Sequence, residues 1–355
     1  MPKKDFGAFM ICASHTDSPS FKLKPDFEIN ADGCIKLSVE GYGGMIMSSW
    51  LDRPLSISGR IVTAKNGKLE TKLVNIDRDL LVIPSLAIHM SRDINKGYEF
   101  NIRRDMYPIA SEKNGRIEDI IAENVGVDKE EILGFDLSLY NRMRGTVLGA
   151  DGEYFSAPRI DDLQCMYSTL EGFLNSESDD NVTVFAAFDN EEVGSGTKQG
   201  AKSSFLRDVL ERICNNSETY KRAVAKSFML SCDNAHAVHP NFADKSDGTN
   251  RVYMNGGIVI KYNANQRYTT DAVSEAVVKY VCKNADVPYQ MYANRSDIPG
   301  GSTLGNLSNE KVSLNTADIG LAQLAMHSSY ETAGSRDTEY MVKMIKEFYK
   351  TEIVL

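Results

Sequence analysis

The sequence predicts an α/β fold: a three-layer α/β/α domain with a mostly parallel central sheet, interrupted by an inserted β-rich domain. Three observations carry this. From about Gly145 onward, apolar runs of strand length alternate with stretches of helical spacing, the pattern of a parallel sheet covered on both faces. From about Phe21 to Asp105 the texture is instead short alternating runs separated by turn signals. The first apolar run, AFMICASHTDSP, reads as a buried strand entering a polar loop, so the α/β part starts before the β-rich part and resumes after it. The expected division is residues 1–22 plus 144–355 for the first domain and 23–143 for the second.

Each element has its own signal. In the β-rich part, Asn66-Gly67 between two alternating runs marks a two-residue hairpin, and Asp32-Gly33 marks another. The acidic stretch GRIEDIIAENVGVDKEEIL is helical. After Gly145, Leu163, Met166, Tyr167, Leu170, Phe173 and Leu174 follow helical spacing directly behind the loop Pro158-Arg159-Ile160-Asp161. VTVFAAF reads as a central strand, SFMLSC and GIVIKYN as further strands, and TTDAVSEAVVKYVCKN as a helix. The last helix, about Arg336 to Lys350, places Met341, Met344, Ile345 and Phe348 on one face.

Composition narrows the function. Of 355 residues, 42% are hydrophobic and 25% charged, enough for ordinary globular cores. A formal net charge of -9 argues against nucleic acid or an anionic membrane as partner. No run approaches the length that spans a bilayer, and MPKKDFGAFMICASH lacks a signal-peptide apolar core and cleavage site. The 6 cysteines show no CxxC pair and most lie in apolar runs, which predicts buried free thiols in a reducing cytoplasm.

Asp161, Glu191, Glu192 and Asp233 each sit at, or just beyond, the carboxyl end of an apolar segment. In open α/β sheets that edge is where sites form. Carboxylates converging there repel unless a cation neutralises them. His15, just past the first strand, and His327, in AQLAMHSS, can complete a set of oxygen and nitrogen donors suited to zinc or a related divalent ion. A carboxylate left over can act as a general base. Singly, each of these residues has an ordinary reading as a helix cap, a solvated loop acid or a hydrogen-bonded core histidine. Spacing alone leaves both readings open.

The order of motifs adds to this. HTDSP (His15 to Pro19), PRIDD (Pro158 to Asp162), DNEEVGS (Asp189 to Ser195), DNAHAVHP (Asp233 to Pro240) and LAMHS (Leu324 to Ser328) occur in sequence. So do GYGG with WLDRPL (Gly41 to Leu55), IPSLAIH (Ile83 to His89) and NANQRY (Asn263 to Tyr268). Together they resemble the aspartyl aminopeptidase and aminopeptidase I family of co-catalytic zinc metallopeptidases, from about residue 8 to the C-terminus. The resembling proteins carry an additional N-terminal stretch ahead of the strand leading to HTDSP, so the resemblance implies a truncated start or a lineage without that segment.

The resemblance implies a zinc-exopeptidase-like catalytic domain and an inserted domain that dimerises. It makes Asp161 the carboxylate bridging two metal ions, with His15 and Asp233 completing one position and Glu192 and His327 the other. The ions are zinc, with cobalt or manganese as substitutes. Glu191 is then the general base, Asp17 orients His15 through its far nitrogen, and His89 reaches a neighbouring subunit's site. Lys261, Gly301 and Ser302 are expected near the substrate. His236 and His239 are expected in supporting roles, because Asp233 takes the ligand position. The implied activity is removal of the first residue from short peptides with a free N-terminus, in a cytoplasmic homo-oligomer built from dimers, up to a tetrahedral dodecamer. Two other readings stand beside it: a catalytically inactive metal-binding shell protein, and a metal-dependent deacylase of N-blocked amino acids.

Overall fold

Six strands in the order Val182–Phe188, Phe9–His15, Phe228–Cys232, Asn315–Gly320, Ile258–Tyr262 and Tyr289–Ala293 form the central sheet of the first unit. In the computed structural model, residues 6–65, 67–112, 115–214, 216–298 and 300–353 are described. The chain divides into two units: Met1–Ser18 with Gly145–Met326 and Glu331–Leu355, and Pro19–Arg144 with His327–Tyr330. Residues 19–22, expected in the first unit, fall in the second, because the strand Ser20–Ala31 already pairs with Cys34–Tyr42 from Ser20 onward.

The central sheet is parallel except where Ile258–Tyr262 meets Asn315–Gly320. Helices cover both faces. On one face Cys165, Val278, Val281, Met341, Met344 and Phe348, from three helices, close a core with Cys12, Leu230 and Ile319 of the sheet. On the other, Leu206, Leu210, Ala223 and Leu304 pack on Phe9, Ile11, Phe188 and Met229. This is the three-layer α/β/α arrangement. The helix Asp337–Lys350 buries Met341, Met344, Ile345 and Phe348 completely, as its periodicity predicts. Each such side chain contributes about 1.5–3 kcal/mol. The helix Ala272–Asn284 starts at a capping box between Asp271 and Ser274.

Two expectations need correction. VTVFAAF is not central: Val182–Phe188 pairs with Phe9–His15 and is an edge strand among the described residues. An apolar run reports burial by covering layers, not the number of hydrogen-bonded neighbours. The helix Ile160–Leu174 does not bury the apolar stripe read from its spacing. Its inner face is Gln164, Cys165, Ser168, Thr169 and Gly172, while Tyr167 and Leu174 are exposed. Small residues are needed there because this helix lies close against Asp337–Lys350: a Cβ at Gly172 would stand 2.4 Å from Ile345 Cγ2. A second sheet, of Ala235–His236, Ala322–Leu324, Glu331–Gly334, Tyr154–Ala157 and Thr146–Leu148, completes the unit.

The second unit is a six-stranded antiparallel sheet in the order Lys68–Asn75, Leu55–Lys65, Ile132–Asn141, Ser20–Ala31, Cys34–Tyr42 and Ile109–Ser111. The turn at Asp32-Gly33 joins Ala31 to its register partner Cys34, with Gly33 at φ 89°. Lys65 likewise pairs with Lys68 around Gly67, while Asn66 of the expected hairpin signal lies outside the described residues. The acidic helical stretch forms Ile117–Val125, whose Ile117 and Ile121 join Phe21, Trp50, Ile57 and Leu137 in the core of this unit. All 6 cysteines are free thiols, and among the described residues no helix is long and apolar enough to cross a membrane.

Candidate metal centre

Strand register brings the acidic motifs to one edge. His15 is the last residue of its strand and pairs in register with Phe188, three residues before Glu191. Asp233 follows directly on Phe228–Cys232, the neighbour on the other side. Asp161 and Asp162 arrive from the loop that opens the helix Ile160–Leu174, where their backbone is not yet helical. Four chain segments that are remote in sequence therefore end at one place.

The geometry there is close. His15, Asp161, Asp162 and Asp233 offer ligand atoms within 4.8 Å of one another, and so do His15, Glu191 and Glu192. His15 Nε2 stands 3.4 Å from Asp161 Oδ1 and 3.9 Å from Asp233 Oδ1. Its other nitrogen, Nδ1, meets the Asp17 carbonyl oxygen at 3.0 Å and the Asp17 carboxylate at 3.4 Å. Held from behind in this way, the ring presents Nε2 to the carboxylates.

Asp161 and Asp162 are adjacent but differ in occupation. The carboxylate of Asp162 accepts the backbone N–H of His15 and that of Asn234, each at 3.2 Å. Both of its oxygens are committed to amides. Asp161 turns toward His15 while its own N–H donates to Glu331 at 2.9 Å and its carbonyl accepts from the Ser18 hydroxyl at 2.7 Å. Glu191 and Glu192 open a single 3-10 turn, Glu191–Val193. Their N–H groups donate to the two carboxylate oxygens of Asp17, each at 3.1 Å. Gly194 at φ 90° and Asn190 at φ 60° provide the left-handed backbone that closes this turn.

The electrostatics reflect crowding. Burial pushes the Glu191 carboxyl up to about 7, helped by the charges of Asp233 and Asp161 and opposed by His15. Asp162 and Asp233 are also raised, burial being the largest cause in each. Burial pulls the His15 imidazole down, but its bonds to Asp161 and Asp17 overcome that and hold it well above its ordinary value. Lys261 is buried, 3% exposed, and donates to the Asn234 carbonyl at 2.8 Å with Asp233 Oδ2 at 3.6 Å. The five carboxyl groups of Asp161, Asp162, Asp233, Glu191 and Glu192 outnumber the His15 imidazole and this ammonium, an imbalance that a bound divalent cation would relieve. The donor set of imidazole nitrogen and carboxylate oxygen fits zinc.

The other expected residues have varied surroundings. Lys261 faces the Asp233 side of the cluster and the Tyr268 ring, 5.5 Å from its centroid. Gly301 and Ser302 are exposed, next to Thr303, whose hydroxyl donates to the buried Asp318 at 2.5 Å. Nearby Gly300 lines a cavity of about 610 Å³ with Tyr262, Asn263, Arg267 and Asn294. His239 accepts the Asn241 N–H at 3.2 Å, and His236 is exposed on the short strand Ala235–His236. In the second unit, His89 is exposed in a turn where the Met90 N–H donates to Ala87 at 2.8 Å. His327, at φ 65°, belongs to the segment His327–Tyr330 of that unit, its carbonyl accepting from Ile46 at 3.0 Å. Sequence reading missed Asp162 and Glu331. The doubled acid of PRIDD was a signal for the first; nothing local marked the second.

A parallel sheet carrying acids and a histidine at its carboxyl edge defines the class: an α/β metallohydrolase. A family model described as aminopeptidase I zinc metalloprotease (M18) matches residues 3–349. The chain belongs to this M18 family and is a zinc-dependent aminopeptidase, an exopeptidase of the hydrolase class. Among its relatives is a probable M18 family aminopeptidase 2 of Clostridium acetobutylicum, 46% identical over 354 residues, covering 96% of this chain and 82% of the relative. One of Pseudomonas aeruginosa is 38% identical over 349 residues, covering 96% and 81%. Among solved structures, one of the Ape4 and Nbr1 complex aligns with TM-score 0.94 at 34% identity, covering 98% of this chain and 72% of that one. The S. cerevesiae mApe1 dodecamer aligns with TM-score 0.84 at 26% identity, covering 98% and 82%.

Proposed function

We propose that this aminopeptidase uses two divalent ions, most simply zinc, held by His15, Asp161 and Asp233 on one side and by Asp161, Glu192 and His327 on the other. The substrate is a short peptide with a free N-terminus. When bound, the ions supply Lewis-acid polarisation of the scissile carbonyl and a water of lowered pKa. Glu191 takes the proton from the attacking water and delivers it to the departing amine. Asp17 fixes Glu191 by its backbone and aims the His15 ring. The observation that carries this reading is Glu191 itself, a half-buried carboxyl beside His15 and Glu192 whose backbone N–H is held by the Asp17 carboxylate at 3.1 Å.

His89 extends toward a neighbouring subunit's site, and the second unit is the dimerising element. Exposed Leu86, Ile88 and Met90 around His89 support a surface that another subunit covers. The dodecamer recorded for mApe1 supports a tetrahedral assembly of such dimers here. Six free thiols support a reducing, cytoplasmic setting.

The test is metal stoichiometry together with turnover of aminoacyl chromogenic substrates and their N-acetylated counterparts. Two ions per subunit, cleavage of the free amine alone, and loss of at least about 100-fold in kcat for folded Glu191→Gln are expected. Full activity in that variant sinks the role of Glu191. Preference for the N-acetylated substrate makes the protein a deacylase.

A further inference from the structure

Two buried carboxylates at the cluster accept hydrogen bonds from the backbone that carries it. Asp162 is fully buried and Glu331 is 2% exposed. Asp162 Oδ2 accepts from His15 N–H, and Asp162 Oδ1 from Asn234 N–H, the residue after Asp233. Glu331 Oε2 accepts from Asp161 N–H across 170 positions of sequence. Every amide named here belongs to a ligand or to the immediate neighbour of one.

We propose that Asp162 and Glu331 are positioning residues that set the spacing of the metal ligands through the backbone. The inference rests on the assignment of His15, Asp161 and Asp233 as ligands. Asp162 joins the ends of two adjacent parallel strands, Phe9–His15 and Phe228–Cys232, to the loop that carries Asp161. Strand pairing does not do this by itself: the register between these two strands runs only to Ala13 and Ser231, before either ligand. Beyond that point the Asp162 carboxylate bridges the two strand ends directly, through the amides of His15 and Asn234. Glu331 lies on the strand Glu331–Gly334, in register with Ala157, and so ties the Asp161 amide to the second sheet of the unit.

The two sites make different demands. At Asp162 both oxygens are needed, and an asparagine would turn an NH2 group toward an N–H donor. At Glu331 the Asp161 amide needs an acceptor oxygen, which glutamine keeps and alanine removes.

The experiment measures Zn²⁺ affinity by competition with a chromophoric chelator, and the Co²⁺ absorption spectrum, on the 355-residue chain. Asp162→Asn and Glu331→Ala are expected to weaken Zn²⁺ binding roughly 10–100-fold and to shift the Co²⁺ bands, with Glu331→Gln within about threefold of wild type. A purely structural role lowers thermal stability without moving affinity or spectrum. His15→Ala is the control. If it loses affinity while Asp162→Asn and Glu331→Ala keep it, the positioning inference is overturned and the ligand assignment stands. If His15→Ala binds as wild type, both fall. Should Asp162→Asn fail to fold, the contrast between alanine and glutamine at position 331 decides alone.

Discussion

Lys261 and Asp233 face each other 3.6 Å apart in the interior of the first unit, and the same ammonium donates to the carbonyl of Asn234 at 2.8 Å. The lysine thus grips both the side chain of a proposed ligand and the peptide that follows it. Burial pulls its pKa down, yet the charges of Asp233, Tyr268 and Asp318 together more than offset this and the ammonium is retained.

Lys261→Met should cost about 3–5 kcal/mol in metal-free protein, because it leaves a buried carboxylate without its cation. Bound zinc takes over part of that neutralisation, so the loss should shrink in metal-loaded protein. Chemical denaturation with and without chelator measures both. An equal loss in the two forms would show that Asp233 is not near the metal.

Asp17 serves two amides and one imidazole, so its replacement should act on rate more than on binding. Asp17→Asn keeps one acceptor oxygen and can serve Glu191 or Glu192, not both. A fall in kcat of roughly 10–100-fold with KM little changed is expected from loosened orientation of this kind. Steady-state kinetics on an aminoacyl substrate would read it, and an unchanged kcat would remove Asp17 from the mechanism.

The metal-free protein should lose stability as pH rises. Glu191 titrates at about 7 in the folded chain, above its ordinary 4.5, so its favourable contribution is complete below the lower value and is lost as pH passes the upper one. Asp162, Asp233 and His15 are shifted in the same direction, and all four slopes add. Glu191→Gln should therefore raise the melting temperature of chelator-treated protein at about pH 8, by about 1–2 kcal/mol in stability, and hardly at all near pH 5. Thermal melts across that range test the sign; a gain largest at low pH contradicts it.

Gly320 ends the strand beside Asp233, and a Cβ there would stand 1.9 Å from the Asp233 carbonyl oxygen. Since that contact is backbone, Gly320→Ala must displace the Asp233 peptide. A loss of at least about 2 kcal/mol and weakened zinc binding are expected together, measured by denaturant unfolding and chelator competition. A variant with wild-type values in both would mean the strand end relaxes freely.

Much of this was legible in the sequence because it is local. The parallel and antiparallel textures, the buried face of Asp337–Lys350 and the turn at Asp32-Gly33 follow from periodicity and turn chemistry within a few residues. The motifs around His15, Asp161, Glu191 and Asp233 were readable because residue type and strand-end position coincide.

What only the tertiary structure decided depends on which segments meet. No periodicity reveals that Val182–Phe188 has its partner on one side, or that the helix after Ile160 needs small residues against Ile345. The sequence by itself determined that carboxylates and a histidine gather at a sheet edge in an M18-like order. The tertiary structure decided which carboxylates face one another and which turn away to hold backbone. Asp161 and Asp162 are the same residue type one position apart, and their roles separate because the amides of His15 and Asn234 reach only the second. Hydrogen bonds between segments 147 and 72 residues apart carry that information, and it exists only once the chain has folded.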